Sequence, residues 1–155
     1  MTELDIQKKL FDAFLTLDTF ASSQGYTGEA FLEIDESKTG YEQFVNVHFP
    51  NVPFDYPDDK RWFDLDFASG EPSDVALMQG SQSRFAGVFY IDIIVPQDVA
   101  ELEAETKYKW IAKLFHNVNI DVVDIMQVYI STKGNDADHY RLQVAVSWEA
   151  DINKE

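Results

Sequence analysis

The chain has 155 residues, 45% apolar and 14% aromatic, with 12 basic against 28 acidic residues and a formal net charge of −16. This length and apolar content exclude wholesale disorder and allow one domain, which would remove roughly 70% of the surface its unfolded chain exposes. The absence of cysteine excludes disulfides, thiolate metal sites and cysteine nucleophiles, and the absence of a Lys/Arg run argues against binding nucleic acid by counterion displacement.

Along MTELDIQKKLFDAFL, Ile6, Leu10, Ala13, Phe14 and Leu17 recur at three- and four-residue spacing, which predicts an amphipathic helix from Glu3 to Thr19. Thr2 is placed to cap it, with Asp5 three residues on. Charges inside this apolar region predict neither a signal peptide nor a membrane span, and no other window approaches ~18 apolar residues. The expectation is a soluble protein of intracellular type. ASSQGYTGE ends the helix, AFLEI reads as a short strand, DESKTG as a turn and YEQFVNVHF as another strand. In RWFDLDFAS, Phe63, Leu65 and Phe67 alternate strictly with Trp62, Asp64 and Asp66, the signature of a half-buried strand.

GEPSDVALMQGSQS reads as a loop. GVFYIDIIVP is a strand with Phe89, Ile91, Ile93 and Val95 on the core face, ended by Pro96. Asp98 is placed to cap a second helix, Val99 to Asn117, with a buried stripe read as Leu102, Tyr108, Ile111, Leu114 and Phe115. IDVVDIMQVYIS is a strand and KGNDAD a hairpin loop. HYRLQVAVSWE puts Tyr140, Leu142, Val144, Val146 and Trp148 on one face, and the last residues, DINKE, are expected to fray. This order predicts an α+β fold, a small mixed, largely antiparallel sheet with two helices packed on one face. Within a single domain of residues 1–155, the expected parts are an N-terminal helix (1–20), a variable insertion (21–50), a sheet-plus-helix core (51–149) and a frayed tail (150–155).

The same residues offer little chemistry. There is no phosphate-cradling glycine loop, and GSQSR lacks the second glycine of a nucleophile elbow. His48, His116 and His139 are isolated in sequence, and His116 has an ordinary reason to end a helix, its interaction with the dipole. DESKTG begins like a calcium loop, but Asn46 stands where that loop needs a bidentate glutamate. Asp64 and Asp66 share a strand face with Trp62 and no sequence-near histidine, which reads as a solvated face. Asp92, between Val88, Tyr90 and Ile94, marks a face only partly covered or covered by another subunit. No catalytic residue, metal site or cofactor is expected. Outward aromatics, Tyr56, Trp62 and Tyr90, point instead to an interaction surface.

NVPFDYPDDKRWFDLDF, then SRFAGVFYIDIIVPQDV, a helix ending in KLF and a final HYRLQVAVSWEAD resemble the tail-terminator-like proteins of long-tailed bacteriophages, from Asn51 to the end. Two departures are a longer, more acidic Tyr26–Val47 segment and QDVAELEAE in place of a glycine-rich helix entry. The resemblance implies a non-enzymatic virion protein without cofactor. Its copies would form a ring, commonly of six, that closes the head-proximal end of the tail tube, ends tube polymerisation and joins the tail to the head. Partners would be the chain itself, the tail-tube protein and a head-completion or neck protein. DNA would pass through without specific binding, and assembly would take place in the host cytoplasm, away from any membrane. Asn51, Pro53 and Phe54 match the family's signature positions. With Tyr56, Trp62, Tyr90 and Asp92 they are the expected subunit or tail contacts, while Asp58, Asp59, Asp64 and Asp66 are candidates to face an acidic lumen. The alternatives are another neck or tail-completion adaptor, and an acidic DNA mimic that inhibits a nucleic-acid enzyme.

Overall fold

The computed structural model describes residues 3–69, 73–74, 82–98, 100–136 and 138–153. In chain order these form α1 (Glu3–Phe14), α2 (Leu17–Ser23), β1 (Val47–His48), β2 (Trp62–Ser69), β3 (Ser73–Asp74), β4 (Gln82–Pro96), α3 (Ala100–Asn117), β5 (Val123–Asp136) and β6 (His139–Asn153). One sheet runs in the order β1–β2–β4–β6–β5, with β3 beside the start of β4. Among the described residues only β1 and β2 pair in parallel, so the sheet is mixed and largely antiparallel, and the fold is α+β as the residue pattern predicts.

Strand alternation places the core. Phe63 and Leu65 of β2, Phe89, Ile91 and Ile93 of β4, and Leu142, Val144, Val146 and Trp148 of β6 are all buried. They lie in matching register, Phe63 opposite Ile93 and Ile93 opposite Leu142. α1 and α3 close this face: Phe14 packs edge-on against Phe63 at 5.3 Å, Phe11 lies 5.5 Å from Phe89, and Phe115 6.0 Å from Phe89. Ile6, Leu10, Ala13, Phe14 and Leu17 are all buried, as their spacing requires.

Several local expectations are corrected. The first helix is two, because at Thr16 both the backbone N–H and the side-chain hydroxyl bond to the Ala13 carbonyl, tightening the turn and re-aiming Leu17 and Ala21 into the core. The expected strand AFLEI is only a single bridge between Ile34 and Phe44. Side chains supply what a ladder would: Asp18 accepts the N–H groups of Phe31 and Leu32. Buried Asn46 accepts from Glu33 N–H and donates to the Phe31 carbonyl. YEQFVNVHF shrinks to a 3-10 turn at Gly40–Gln43 and the short β1.

Within residues 21–50, Phe31, Leu32, Val47 and Phe49 belong to the core. The KGNDAD loop is mostly strand, since β5 and β6 pair as far as Asp136 and His139. Likewise β6 runs to Asn153, held opposite Gln82, where fraying was expected from residue 150. The capping residue Thr2, the second-helix start Val99 and most of GEPSDVALMQGSQS lie outside the described residues. Leu102 does not join the buried stripe of α3 but is 81% exposed. At about 100° per residue it lies on the far side of the helix from Ile111. Ala104 and Trp110 take the inward positions instead. No described helix is long and apolar enough to cross a membrane.

Gly87 sits between Ser69 of β2 and Trp148 of β6, under the indole ring that stacks on Phe67 at 5.4 Å. A Cβ there would overlap the Ala68 carbonyl oxygen and lie 2.7 Å from the Trp148 ring and 2.9 Å from Ser69 Cα. Gly87→Ala is therefore expected to destabilise the fold by about 1–3 kcal/mol, the range for overpacking a well-packed site, read as a lower urea midpoint. An unchanged midpoint would mean that the ring and strand yield without cost.

Candidate assembly surface

The helices cover one face of the sheet, and alternation sends a second set of side chains to the other. Across this open face the register forms rows: Asp64 opposite Asp92 opposite Gln143, and Asp66 opposite Tyr90 opposite Ala145 opposite Tyr129. Asp64 and Asp92 are like charges directly opposed on neighbouring strands, an arrangement that is destabilising by itself. Arg141 of β6 bridges them, donating to Asp92 Oδ2 and, at 3.2 Å, to Asp64 Oδ2. Asp64 Oδ1 also accepts from the Trp62 indole N–H at 3.1 Å and lies 3.0 Å from His48 Nδ1. Burial pushes the Asp92 carboxyl above its usual range, against the opposing pull of hydrogen bonds from Gln143 and Arg141. The pair is a cross-braced structural cluster, and no grouping of metal-ligating side chains occurs among the described residues.

Beside the cluster, the segment Asn51 to Arg61 wraps the β1 end of the sheet with aromatic contacts. Phe54 stacks on the His48 ring at 4.8 Å, Tyr56 meets Trp62 edge-on at 5.2 Å, and Trp62 meets His139 at 5.5 Å. Asn51 turns the chain with φ 61°, and Lys60 does so again with φ 58°, where its Nζ pairs with Asp138 at 2.6 Å. Next to it Arg61 holds Glu103 of α3 at 2.9 Å. Lys107, one helical turn beyond Glu103, lies over the Phe63 ring at 5.4 Å, and burial lowers the pKa of its ammonium against the pull of Glu103.

The structure thus divides the residues singled out in the sequence. Asn51, Pro53 and Tyr56 are exposed, Tyr56 at 60%, and Phe54 is half-buried. Trp62, expected on an outward surface, is only 7% exposed, covered by its own chain's Tyr56 and His139. Tyr90 and Asp92 are half-buried on the open face. Asp58, Asp59 and Asp66 are exposed, but Asp64 is engaged with Trp62, His48 and Arg141. His48 and Arg141 had no signal in sequence, because β1 and β6 bring them to Asp64 from 16 and 77 residues away. Along the free edge of the sheet, β5 shows Met126 at 57% and Tyr129 at 37% exposure, with register shifts at Ile125/Gln127 and Ile130/Thr132. Such bulges blunt an edge against indiscriminate strand pairing.

Comparison with known proteins fits this picture. A family profile described as "Phage tail terminator protein" matches residues 36–148. No curated protein matches. One solved structure aligns over 96% of this chain and 98% of its own, with a TM-score of 0.56 and 16% identity; at that identity the likeness is one of fold.

Arg141→Leu would leave two opposed carboxylates without their cation. Because the groups are partly solvated, the expected cost is about 1–3 kcal/mol, between exposed and buried ion pairs. Losing the cation also raises the folded pKa of Asp92 further above its unfolded value. The folded variant then binds more protons than the unfolded chain, so its stability falls as pH rises through that interval. Asp92→Asn in the same background is expected to remove this slope. Urea unfolding across the acid range checks both; a cost independent of pH would contradict the bridging role of Arg141.

Proposed function

Because the chain belongs to the phage tail terminator protein family and so has a structural role in a phage tail, we propose that its copies form a ring on the head-proximal end of the tail tube. The ring stops tube polymerisation and presents a surface to a head-completion or neck protein. The observation that carries this reading is the family match over residues 36–148, which takes in β1 to β5, α3 and β6 as far as Trp148.

The surface supports it physically. A closed ring is heterologous, each copy using two different patches, and exposed aromatic or apolar side chains lie at opposite edges of this sheet. Tyr56 belongs to the segment beside β1, and Met126 and Tyr129 to β5. In the proposed ring, Asn51, Pro53, Phe54, Tyr56 and Tyr90 make subunit or tail contacts. Trp62 and Asp92 support that surface from beneath. Asp58 and Asp66 are the exposed carboxylates left to face a lumen, where their charge would repel DNA phosphates and keep the genome from adhering in transit, while Asp59 lines the groove beside α3. Asp64, tied to Arg141, contributes little to such a field.

Solution mass by light scattering tests the ring, first on the protein alone and then mixed with the tail-tube protein encoded by the same genome. A hexamer, alone or on the tube, is the expected result. A protein that stays monomeric and leaves the tube protein's mass distribution unchanged would overturn the reading.

A further inference from the structure

The solvent side of α3 carries a charge order that no buried contact explains. Asp98, Leu102, Glu105, Lys109, Lys113 and His116 follow one another at spacings of three or four residues, so they form one stripe along the helix. All are exposed. The stripe is acidic at its start, where Glu101 adds a further exposed carboxylate, and basic at its end. From Thr106 to Ile120 the chain has no acidic residue at all, within a protein of net charge −16. Acid first and base last suits the helix dipole, and that accounts for the signs of the charges. It does not account for Leu102, 81% exposed in the middle of the acidic half. Beside Leu102 runs a groove between α3 and the loops at 29–33 and 59–61, where Glu29, Glu33, Asp59, Asp98 and Glu103 stand against two cations, Arg61 and Lys107, both of which pair with Glu103. An exposed leucine beside this acidic surplus is complementary to a surface that is cationic and partly aliphatic. The basic end of α3 offers that: the Lys113 Nζ lies over the Trp110 ring at 4.7 Å, with Lys109 one turn before it.

We propose that in the ring the basic end of α3 of one copy docks on the acidic, Leu102-bearing end of α3 and its adjoining groove in the next copy. The inference rests on the ring reading above and names its contact. From Leu102 to His116 the helix rises about 21 Å at 1.5 Å per residue. The two patches on one copy are therefore well separated, and head-to-tail contact through them is heterologous, as a ring requires. At about 0.15 M salt the Debye length is about 8 Å, which screens the net repulsion between copies while leaving opposed charges in contact effective.

The test is sedimentation velocity at that salt on wild type and two double variants, Lys109→Glu/Lys113→Glu and Glu101→Lys/Glu105→Lys. Helix content by circular dichroism controls for folding. Wild type is expected to self-associate with concentration, and each variant to lose roughly tenfold or more in association constant, since like charges then meet across the contact. An equal mixture of the two variants is expected to regain assembly, because each supplies the charge the other now needs on both patches. Assembly that survives both reversals would overturn the α3 contact and leave the ring reading standing. A wild type that stays monomeric at every concentration would overturn the contact too. Regained assembly by a protein that leaves tail tubes uncapped would sink the functional reading alone.

Discussion

The pairing of β4 with β6, fifteen residues in each strand, is the constraint on which the rest of the structure depends. Once its register is set, with Ile91 opposite Val144 and Asp92 opposite Gln143, every side chain of both strands is assigned to one face or the other. The apolar set collects α1 and α3. The other set must be stabilised without a covering layer, and it is here that the Asp64–Arg141–Asp92 brace and the Tyr90–Tyr129 row arise. The polar cluster is thus a consequence of covering a sheet on one side only. A helix on each face would have called for apolar residues at those positions.

This asymmetry links the fold to the role in a tail. A structural protein of a phage tail needs surfaces of fixed shape, and a braced sheet face supplies one. The aromatic contacts around Tyr56, Phe54 and His48 fix the Asn51–Arg61 segment against the sheet, so that its exposed residues are presented on a rigid support. Rigidity of this kind lowers the ordering cost of association. The acidic surplus then has two distinct fates. Some carboxylates, such as Asp18, Asp64, Asp92 and Glu103, are tied into the structure by hydrogen bonds or ion pairs. Asp58 and Asp66 remain exposed to solvent.

Much of the sheet was legible in the residues because strand alternation is a local signal. Phe89, Ile91, Ile93, Tyr140, Leu142, Val144 and Val146 each declare their face within a few positions, and the structure buries them all. The segment from Ala30 to Asn46 was not legible, because its backbone is satisfied by Asp18 and Asn46, contacts 13 to 15 residues apart that no propensity encodes. Leu102 was misplaced although the helical period, applied strictly from Ile111, would have turned it outward. The Asp64 environment lay beyond reach for a different reason. His48, Asp92 and Arg141 come from three other strands, and only the register brings them together. Trp62 shows that an aromatic off the core stripe can be covered by a segment of its own chain.

The account's central claim is that this protein acts at one end of a tail tube. Electron microscopy of tubes grown from the tail-tube protein, with this protein added during growth, tests it most directly. The account predicts tubes that stop lengthening and carry one ring-shaped density at a single end. Tubes of unchanged length with bare ends, or decoration along their sides, would contradict it.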